Sequence, residues 1–198
     1  MEEKSSVSVK INIADAGPAG WISYSIATWM AWAFLCGYVN NKALIFMSAV
    51  SLACTIPYLG AAITQLKLGN LAGGVTWLYF GSFFAFASAL NYGISYFAGV
   101  YKWELDSRIL GYEWLILGIV LILTTPIFAR HAPAAATISV IGADVGIVTL
   151  ALIYWGLNLS LLSGWSFFVA GLFGIIMAAG GILEGAGMKF PMGRPLFK

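Results

Sequence analysis

Ionisable side chains are scarce in the apolar stretches of this sequence, so each one is a candidate for chemistry or for solute passage. Asp144 lies eleven positions after Pro133, where one such stretch begins. Glu113 and Glu184 lie closer to the ends of theirs. Asp144 is therefore the candidate for proton coupling along a polar path. The alternative is an internal hydrogen bond to a neighbouring helix.

The other reactive residue types do not form a catalytic or metal-binding set. Cys36 and Cys54 both fall in apolar runs without a CxxC motif, and His131 is the single histidine. The sequence contains no GxSxG, no HExxH, no phosphate loop and no pair of acids spaced for acid–base work. A net charge of +2 without a dense basic cluster does not predict nucleic-acid binding. We expect no enzyme activity, no cofactor and no metal.

Glycine and aromatic residues are concentrated in the stretch 69–84, which reads GNLAGGVTWLYFGSFF. It opens a charge-free run between Lys67 and Lys102. Gly74 and Gly81 are seven positions apart, so they share one face of a helix, with the rings of Trp77 and Phe84 close to that face. The pattern predicts either a packing seam against a neighbouring helix or the lining of a narrow path.

The composition indicates that lipid is the solvent for most of the chain. Of 198 residues, 61% are hydrophobic and 9% are charged, whereas a soluble domain has about 25% charged residues. Six stretches reach the roughly 20 apolar residues that a spanning helix needs. They are Pro18–Val39, Ala43–Leu66 with an interruption at Pro57, Asn70–Ala98, Leu110–Ala129, Pro133–Asn158 and Leu161–Gly187.

These stretches predict an all-α integral membrane protein, a compact bundle of six transmembrane helices. Residues 1–198 form one membrane domain, with a polar N-terminal tail at 1–14 and a basic C-terminal tail at 188–198. Of the 10 Lys and Arg residues, seven fall on the side that holds both termini and three on the other. The positive-inside rule then places both termini in the cytoplasm, in the cell membrane.

Small residues recur at helical spacing in the predicted helices. The last stretch carries them with spacings of three and four at 171, 174, 178, 181 and 185. Helices with such stripes approach each other closely, so we expect a tightly packed bundle with some stripes at subunit contacts.

The first helix begins with an irregular segment at 15–24, which reads DAGPAGWISY. Pro18 suits the first turn of a helix, and Asp15 is able to accept from the free amides of that turn. A recessed helix start would attract an anion. The alternative is ordinary capping at the water boundary. Thr28 lies one turn after Tyr24 on the same face and adds a hydroxyl group beside this segment.

Two of these segments together resemble the acetate uptake transporters, the acetate/succinate permeases of the YaaH type. The family motif NPAPLGL is similar to DAGPAGW here, which keeps Pro18 and Gly20 but lacks the Asn, the first Pro and both Leu residues. The family also has a GN pair followed by an aromatic-Gly-Ser-Phe motif in its third helix. Here these are Gly69-Asn70 and the run 80–83, FGSF.

The resemblance implies a homo-hexamer in which each subunit holds its own path for small monocarboxylates such as acetate. It also implies a constriction built by the first, third and fifth helices. The matching positions are Tyr24, Phe80 and either Ile141 or Gly142. The substrate-binding candidates beside it are Pro18, Gly20, Thr28 and Ser82.

The resemblance leaves several functions open. The preferred acid and the choice between a channel and a proton-coupled carrier are both undecided. A channel for small neutral solutes, such as urea or amides, would also use six compact helices. A structural membrane subunit without a solute path is the third alternative, and a bundle whose core is completely filled would favour it.

Overall fold

Helices make up nearly all of the ordered architecture. The computed structural model describes residues 13–197, and this part of the chain contains no β-strand. The helices are α1 (Gly17–Leu35), α2 (Leu44–Lys67), α3 (Leu71–Tyr101), α4 (Arg108–His131), α5 (Ala134–Tyr154) and α6 (Ser160–Gly185).

The six helices pack as an antiparallel ring. Helix α1 lies between α2 and α6, α2 contacts α3, and α6 contacts α5, which contacts α4. A smaller contact between the start of α3 and α4 closes the ring. We call the end where α1 begins and α6 ends the N/C face, and the other end the opposite face. The predicted all-α membrane bundle is confirmed.

Five of the helices between residues 13 and 197 are long and apolar enough to cross a membrane, and α1 is not among them. The sequence had predicted six comparable spans. Helix α1 has a lower hydropathy because it carries Ser23, Ser25 and Thr28, which are buried in its contacts with α2 and α6. Large apolar side chains such as Ile56 and Leu123 are exposed on the other helices, as on a lipid-facing surface, and α1 exposes Ile22 and Ile26.

Glycines form the seams between neighbouring helices. On α6, Gly171, Gly174 and Gly181 all face α1, where they meet Trp29, Tyr24 and Pro18 respectively. On α3, Gly74 and Gly81 both face α2. The absence of a side chain at these positions lets the helix axes approach closely. The predicted seam at 69–84 is therefore present, on the α2 side of α3.

Two predicted helix ends were wrong by about one turn. Helix α1 ends at Leu35 rather than at 39, because Gly37 takes a left-handed conformation with φ of 77°. Helix α5 ends at Tyr154 rather than at 158, before Gly156 with φ of 92°. Helix α2 continues through Pro57 without a break, although the sequence had suggested an interruption there.

The C-terminal tail folds back over the N/C face. The backbone N–H of Leu196 donates to the carbonyl of Ala129 at 2.9 Å, and the N–H of Ala135 donates to the carbonyl of Met192 at 3.0 Å. The tail therefore covers the last turn of α4 and the first turn of α5. Most of the predicted N-terminal tail lies outside the described residues.

The α1–α6 seam generates the first prediction. A Cβ on Gly171 would lie 2.5 Å from Cδ1 of Trp29, so Gly171→Leu should overpack the seam and destabilise the bundle by about 1–3 kcal/mol. Gly60→Leu is the matched control, because no atom lies within 4 Å of a Cβ at that helical position. Thermal unfolding of the detergent-purified protein measures both. Equal midpoints for the two variants would contradict the seam.

Candidate functional site

A cavity of about 700 Å³ opens at the N/C face and runs into the bundle. The starts of α1, α3 and α5 and the ends of α4 and α6 surround it, and Met192 of the C-terminal tail contributes to its rim. We call this cavity the vestibule. Its mouth is polar, whereas its walls and inner end are mostly aromatic and aliphatic.

Hydrogen-bonded polar side chains hold the mouth together. Gln65 donates from Nε2 to Oδ1 of Asp15 at 2.6 Å, and Asn70 donates from Nδ2 to Oε1 of Gln65 at 2.6 Å. The backbone N–H of Gly17 also donates to Oδ1 of Asp15, at 2.8 Å. Because Asp15 takes up a first-turn amide, the helix start resembles ordinary capping more than an open anion site.

Two carboxyl groups, Asp15 and Glu184, and the imidazole of His131 line the vestibule. Among residues 13–197, no lysine or arginine lines it. Lys67 and Arg130 lie at the same end of the bundle, but their side chains are exposed outside the cavity. The fixed charges of the vestibule are therefore negative.

The inner end of the vestibule is closed by Tyr24 of α1 and Phe80 of α3. Their ring centroids are 5.6 Å apart at an interplanar angle of 69°. Both rings are nearly fully buried, and Leu121 of α4 and Val140 of α5 complete this end. The Tyr24 hydroxyl donates to the carbonyl of Ser139 at 3.2 Å, which fixes the ring against α5.

More rings fill the bundle beyond this point. Phe84 stacks on Tyr24 at 6.3 Å and also contacts Trp114 of α4 and Phe167 of α6. The vestibule therefore ends at a closed aromatic plug rather than crossing the bundle. A filled core was the expectation for a structural subunit, and this bundle is filled only beyond the Tyr24–Phe80 pair.

The local form of α3 positions its part of the plug. The helix changes from α to π over Phe80–Ala87, and returns to α from Ser88. Phe80 and Phe84 both point into the core from this segment. Gly81 lies against α2, where a Cβ would be 3.1 Å from that of Tyr58. Isolated π turns inside α-helices are frequent at functional sites.

The structure brings Tyr24 and Phe80 together at the inner end, but it does not add Ile141 or Gly142 to them. The Ile141 side chain is 45% exposed on the outside of the bundle. Gly142 faces α6, where a Cβ would lie 3.0 Å from the backbone nitrogen of Ala170. The fifth helix reaches the inner end through Val140 instead, because a shift of one residue turns a side chain by about 100°.

Of the four candidates for substrate binding, only Pro18 lines the vestibule. Gly20 packs against Ala61 and Trp77. Thr28 is fully buried beside α6 and donates to the carbonyl of Tyr24 at 2.8 Å. Ser82 donates to the carbonyl of Leu78 at 3.0 Å, on a side of α3 that does not line the cavity. The hydroxyl groups of Thr28 and Ser82 thus hydrogen-bond to backbone carbonyls of their own helices and do not face the cavity.

Asp144 lies one turn beyond Val140 on α5 and is 8% exposed. Thr125 of α4 donates to its Oδ2 at 2.7 Å. Its Oδ1 has no hydrogen-bond partner among residues 13–197. The internal hydrogen bond that the sequence allowed is therefore present.

Two further rings line the vestibule: Trp21, which sequence reasoning missed, and Trp77, which it placed beside the glycine face of 69–84 without naming it as a site residue. Each precedes a predicted constriction residue by three positions, Tyr24 on α1 and Phe80 on α3. Residues three apart share a face of a helix, so this spacing was the signal that could have identified both tryptophans. The contribution of Met192 had no local signal, because it depends on how the tail folds back.

No protein-family model and no curated protein matches the chain. A solved structure of the bacterial acetate channel SatP superposes with a TM-score of 0.76. The match covers 90% of this chain and 97% of that one, at 18% sequence identity. The chain therefore has the fold of that channel, as the resemblance implied.

The placement of α5 is testable by cysteine labelling in a background that lacks Cys36 and Cys54. Val140→Cys should react with a membrane-impermeant methanethiosulfonate reagent added at the N/C face, because a thiol there meets water of the vestibule. Ile141→Cys should stay unmodified in liposomes, since a lipid-facing thiol does not ionise. Mass spectrometry measures the modified fraction. Faster labelling at 141 than at 140 would contradict the placement.

Proposed function

We propose that this protein carries small monocarboxylates, most of all acetate, across the membrane past the Tyr24–Phe80 constriction of each subunit. The observation that carries the proposal is the vestibule, which leads from the N/C face to two facing rings. The likeness of the fold to the bacterial acetate channel supports the same conclusion.

A constriction of rings suits a small, partly apolar solute. Tyr24, Phe80 and Val140 offer no charged group to replace the water shell of an inorganic ion, so hydrated ions are excluded. The Tyr24 hydroxyl already donates to Ser139, which leaves its oxygen able to accept. An undissociated carboxylic acid supplies the O–H that such an acceptor needs.

The charge of the vestibule also favours the undissociated acid over the anion. Asp15 and Glu184 line the cavity, and no lysine or arginine of the described chain lines it to balance them. An acetate anion that passes between these carboxylates is repelled by them, which raises its energy, whereas neutral acetic acid is not repelled. We therefore propose that acid and proton cross together, as in a proton-coupled carrier.

We assign the proton-coupling role to Asp144. It lies one turn past Val140, its Oδ2 is held by Thr125, and its Oδ1 is free to exchange a proton with a solute that has passed the rings. A carboxyl group held in this way is a suitable acceptor for a proton at membrane depth.

The assembly and orientation that the sequence suggested remain part of this proposal: a homo-hexamer in the cell membrane with both termini in the cytoplasm. An apolar groove of about 370 Å³ between α1 and α6 supports a contact with a second copy. Its walls are the outer faces of both helices, which carry Ile22, Ser25, Ile26, Trp29, Ile175, Ala178, Ala179 and Ile182.

Uptake of labelled acetate into proteoliposomes tests the function and its coupling. An inward proton gradient should stimulate uptake by the wild type more strongly than uptake by Asp144→Asn, in which the neutral acid still forms but the proton acceptor is lost. Asp106→Asn is the matched control, because hydrogen bonds from Arg108 hold the pKa of Asp106 at about 2 in an exposed loop. It is ionised throughout the assay range.

Three results would count against this part of the proposal. Uptake no higher than in empty vesicles would remove the transport function. Efficient competition by urea but not by propionate would favour a channel for neutral solutes. Equal loss of the pH response in Asp144→Asn and Asp106→Asn would remove the role of Asp144.

The constriction predicts how selectivity depends on ring size. Phe80→Ala should admit butyrate and reduce the preference for acetate over butyrate by about tenfold, because space for additional methylene groups opens. Phe83→Ala is the matched control in the same π-helical segment, since its ring is 43% exposed on the outer surface. Parallel uptake assays measure the ratio. The same ratio in both variants would argue against a gate at Phe80.

A further inference from the structure

Three rings of the vestibule meet at nearly right angles. Trp21 and Trp77 have centroids 5.0 Å apart at 87°, Trp21 and Tyr24 are 5.5 Å apart at 89°, and Tyr24 and Trp77 are 6.5 Å apart at 80°. The rings come from α1 and α3, and all three line the cavity. They form an aromatic corner near the inner end.

Tyr58 of α2 supports this corner from behind. Its ring lies 5.6 Å from that of Trp77 and 6.3 Å from that of Phe80. The Tyr58 side chain is fully buried and does not line the vestibule. The corner is therefore held by the packed core as well as by its own edge-to-face contacts, so it is a rigid wall.

The carboxyl groups of the cavity lie at its mouth, which His131 also lines. Asp15 and Glu184 line the mouth on the same side of the bundle. Oδ1 of Asp15 is held by Gly17 and Gln65, which fixes the carboxylate beside the first turn of α1. No lysine or arginine between residues 13 and 197 lines the cavity, and the side chains of Lys67, Arg130, Lys189 and Arg194 are exposed outside it at the same end of the bundle.

Aromatic faces together with carboxylates form the chemistry that recognises a small organic cation. The negative face of an aromatic ring attracts a positive charge where it borders a cavity, and carboxylates add a longer-range field that concentrates cations at the mouth. A hydrated sodium or potassium ion gains little here, because the rings cannot replace its water shell. A methylated ammonium ion is weakly hydrated and presents methyl groups to the rings.

We propose that the vestibule is a binding site for small organic ammonium ions, held against the Trp21–Tyr24–Trp77 corner and attracted by Asp15 and Glu184. This ligand differs from the carboxylic acid of the proposed function. The cavity of about 700 Å³ is much larger than an acetate molecule requires, which leaves room for such an ion. A bound cation lies between the mouth and the Tyr24–Phe80 pair, where it obstructs the path.

Direct binding tests this proposal without relying on transport. Tetramethylammonium chloride is titrated calorimetrically into the purified full-length protein in a neutral detergent. We expect saturable binding with one ion per chain. Tert-butanol has a similar shape without the charge, and sodium chloride supplies the ionic strength without the methyl groups. Neither should give saturable heat.

Substitutions at the corner and at the mouth should weaken this binding separately. Trp77→Leu removes one wall and should raise the dissociation constant by about five- to thirtyfold. Glu184→Gln removes an exposed charge at the mouth without altering the packed core, and should raise it several-fold more at low salt than at high salt. Trp165→Leu is the matched control, because that indole is 47% exposed on the outer surface.

The results separate this site from the proposed transport function. Saturable binding that both Trp77→Leu and Glu184→Gln weaken, with Trp165→Leu unchanged, supports the site even if acetate uptake fails. No saturable heat with tetramethylammonium would overturn it, whatever the result for acetate. Equal weakening by Trp165→Leu, or binding that is unchanged in Glu184→Gln at low salt, would also overturn it.

Discussion

The positions of Tyr24 and Trp77 in the vestibule depend on how closely α1 approaches α6 and α3. A Cβ on Gly174 of α6 would lie 3.0 Å from Cδ1 of Tyr24, and a Cβ on Gly20 would lie 3.3 Å from the indole of Trp77. Any side chain at either position would therefore push a ring of the vestibule aside. In lipid, helices gain little from burying apolar groups against each other, so this close contact supplies much of the packing energy.

Helix α1 has the weakest membrane signal, although it belongs to the same ring as the other five helices. Helix α1 replaces large aliphatic residues with glycine, serine and threonine on the faces that touch α2 and α6. Ser25 and Thr28 donate to the carbonyls of their own helix, so they can be buried without a partner on another helix. The low hydropathy of α1 is thus a consequence of its close packing against α2 and α6.

How far the sequence predicts this site depends on the type of signal. The all-α fold class and most helix bounds follow from the apolar runs. The spacing of seven between Gly74 and Gly81 places both on one face of α3. The meeting of Tyr24 and Phe80 came from the motifs of the resemblance, because spacing within one helix says nothing about another. The phase of α5 was wrong, although Asp144, four positions after Val140, shares the face of the helix that reaches the inner end. The aromatic corner was not predicted, because it depends on contacts between α1 and α3.

A vestibule lined by carboxylates repels a carboxylate anion, and the proposed passage of the neutral, protonated acid avoids this repulsion. A carboxylic acid in its neutral form has no charge to be repelled at Asp15 or Glu184 and no ionic water shell to lose at the rings. The energetic barrier of the path then depends on how often the acid carries its proton rather than on its total concentration. In the proposed path, Oδ1 of Asp144, which has no hydrogen-bond partner among residues 13–197, would accept the proton beyond the rings. The same negative lining that disfavours an anion favours a cation, so the two proposals, a neutral permeant and an ammonium site, rest on one set of charges.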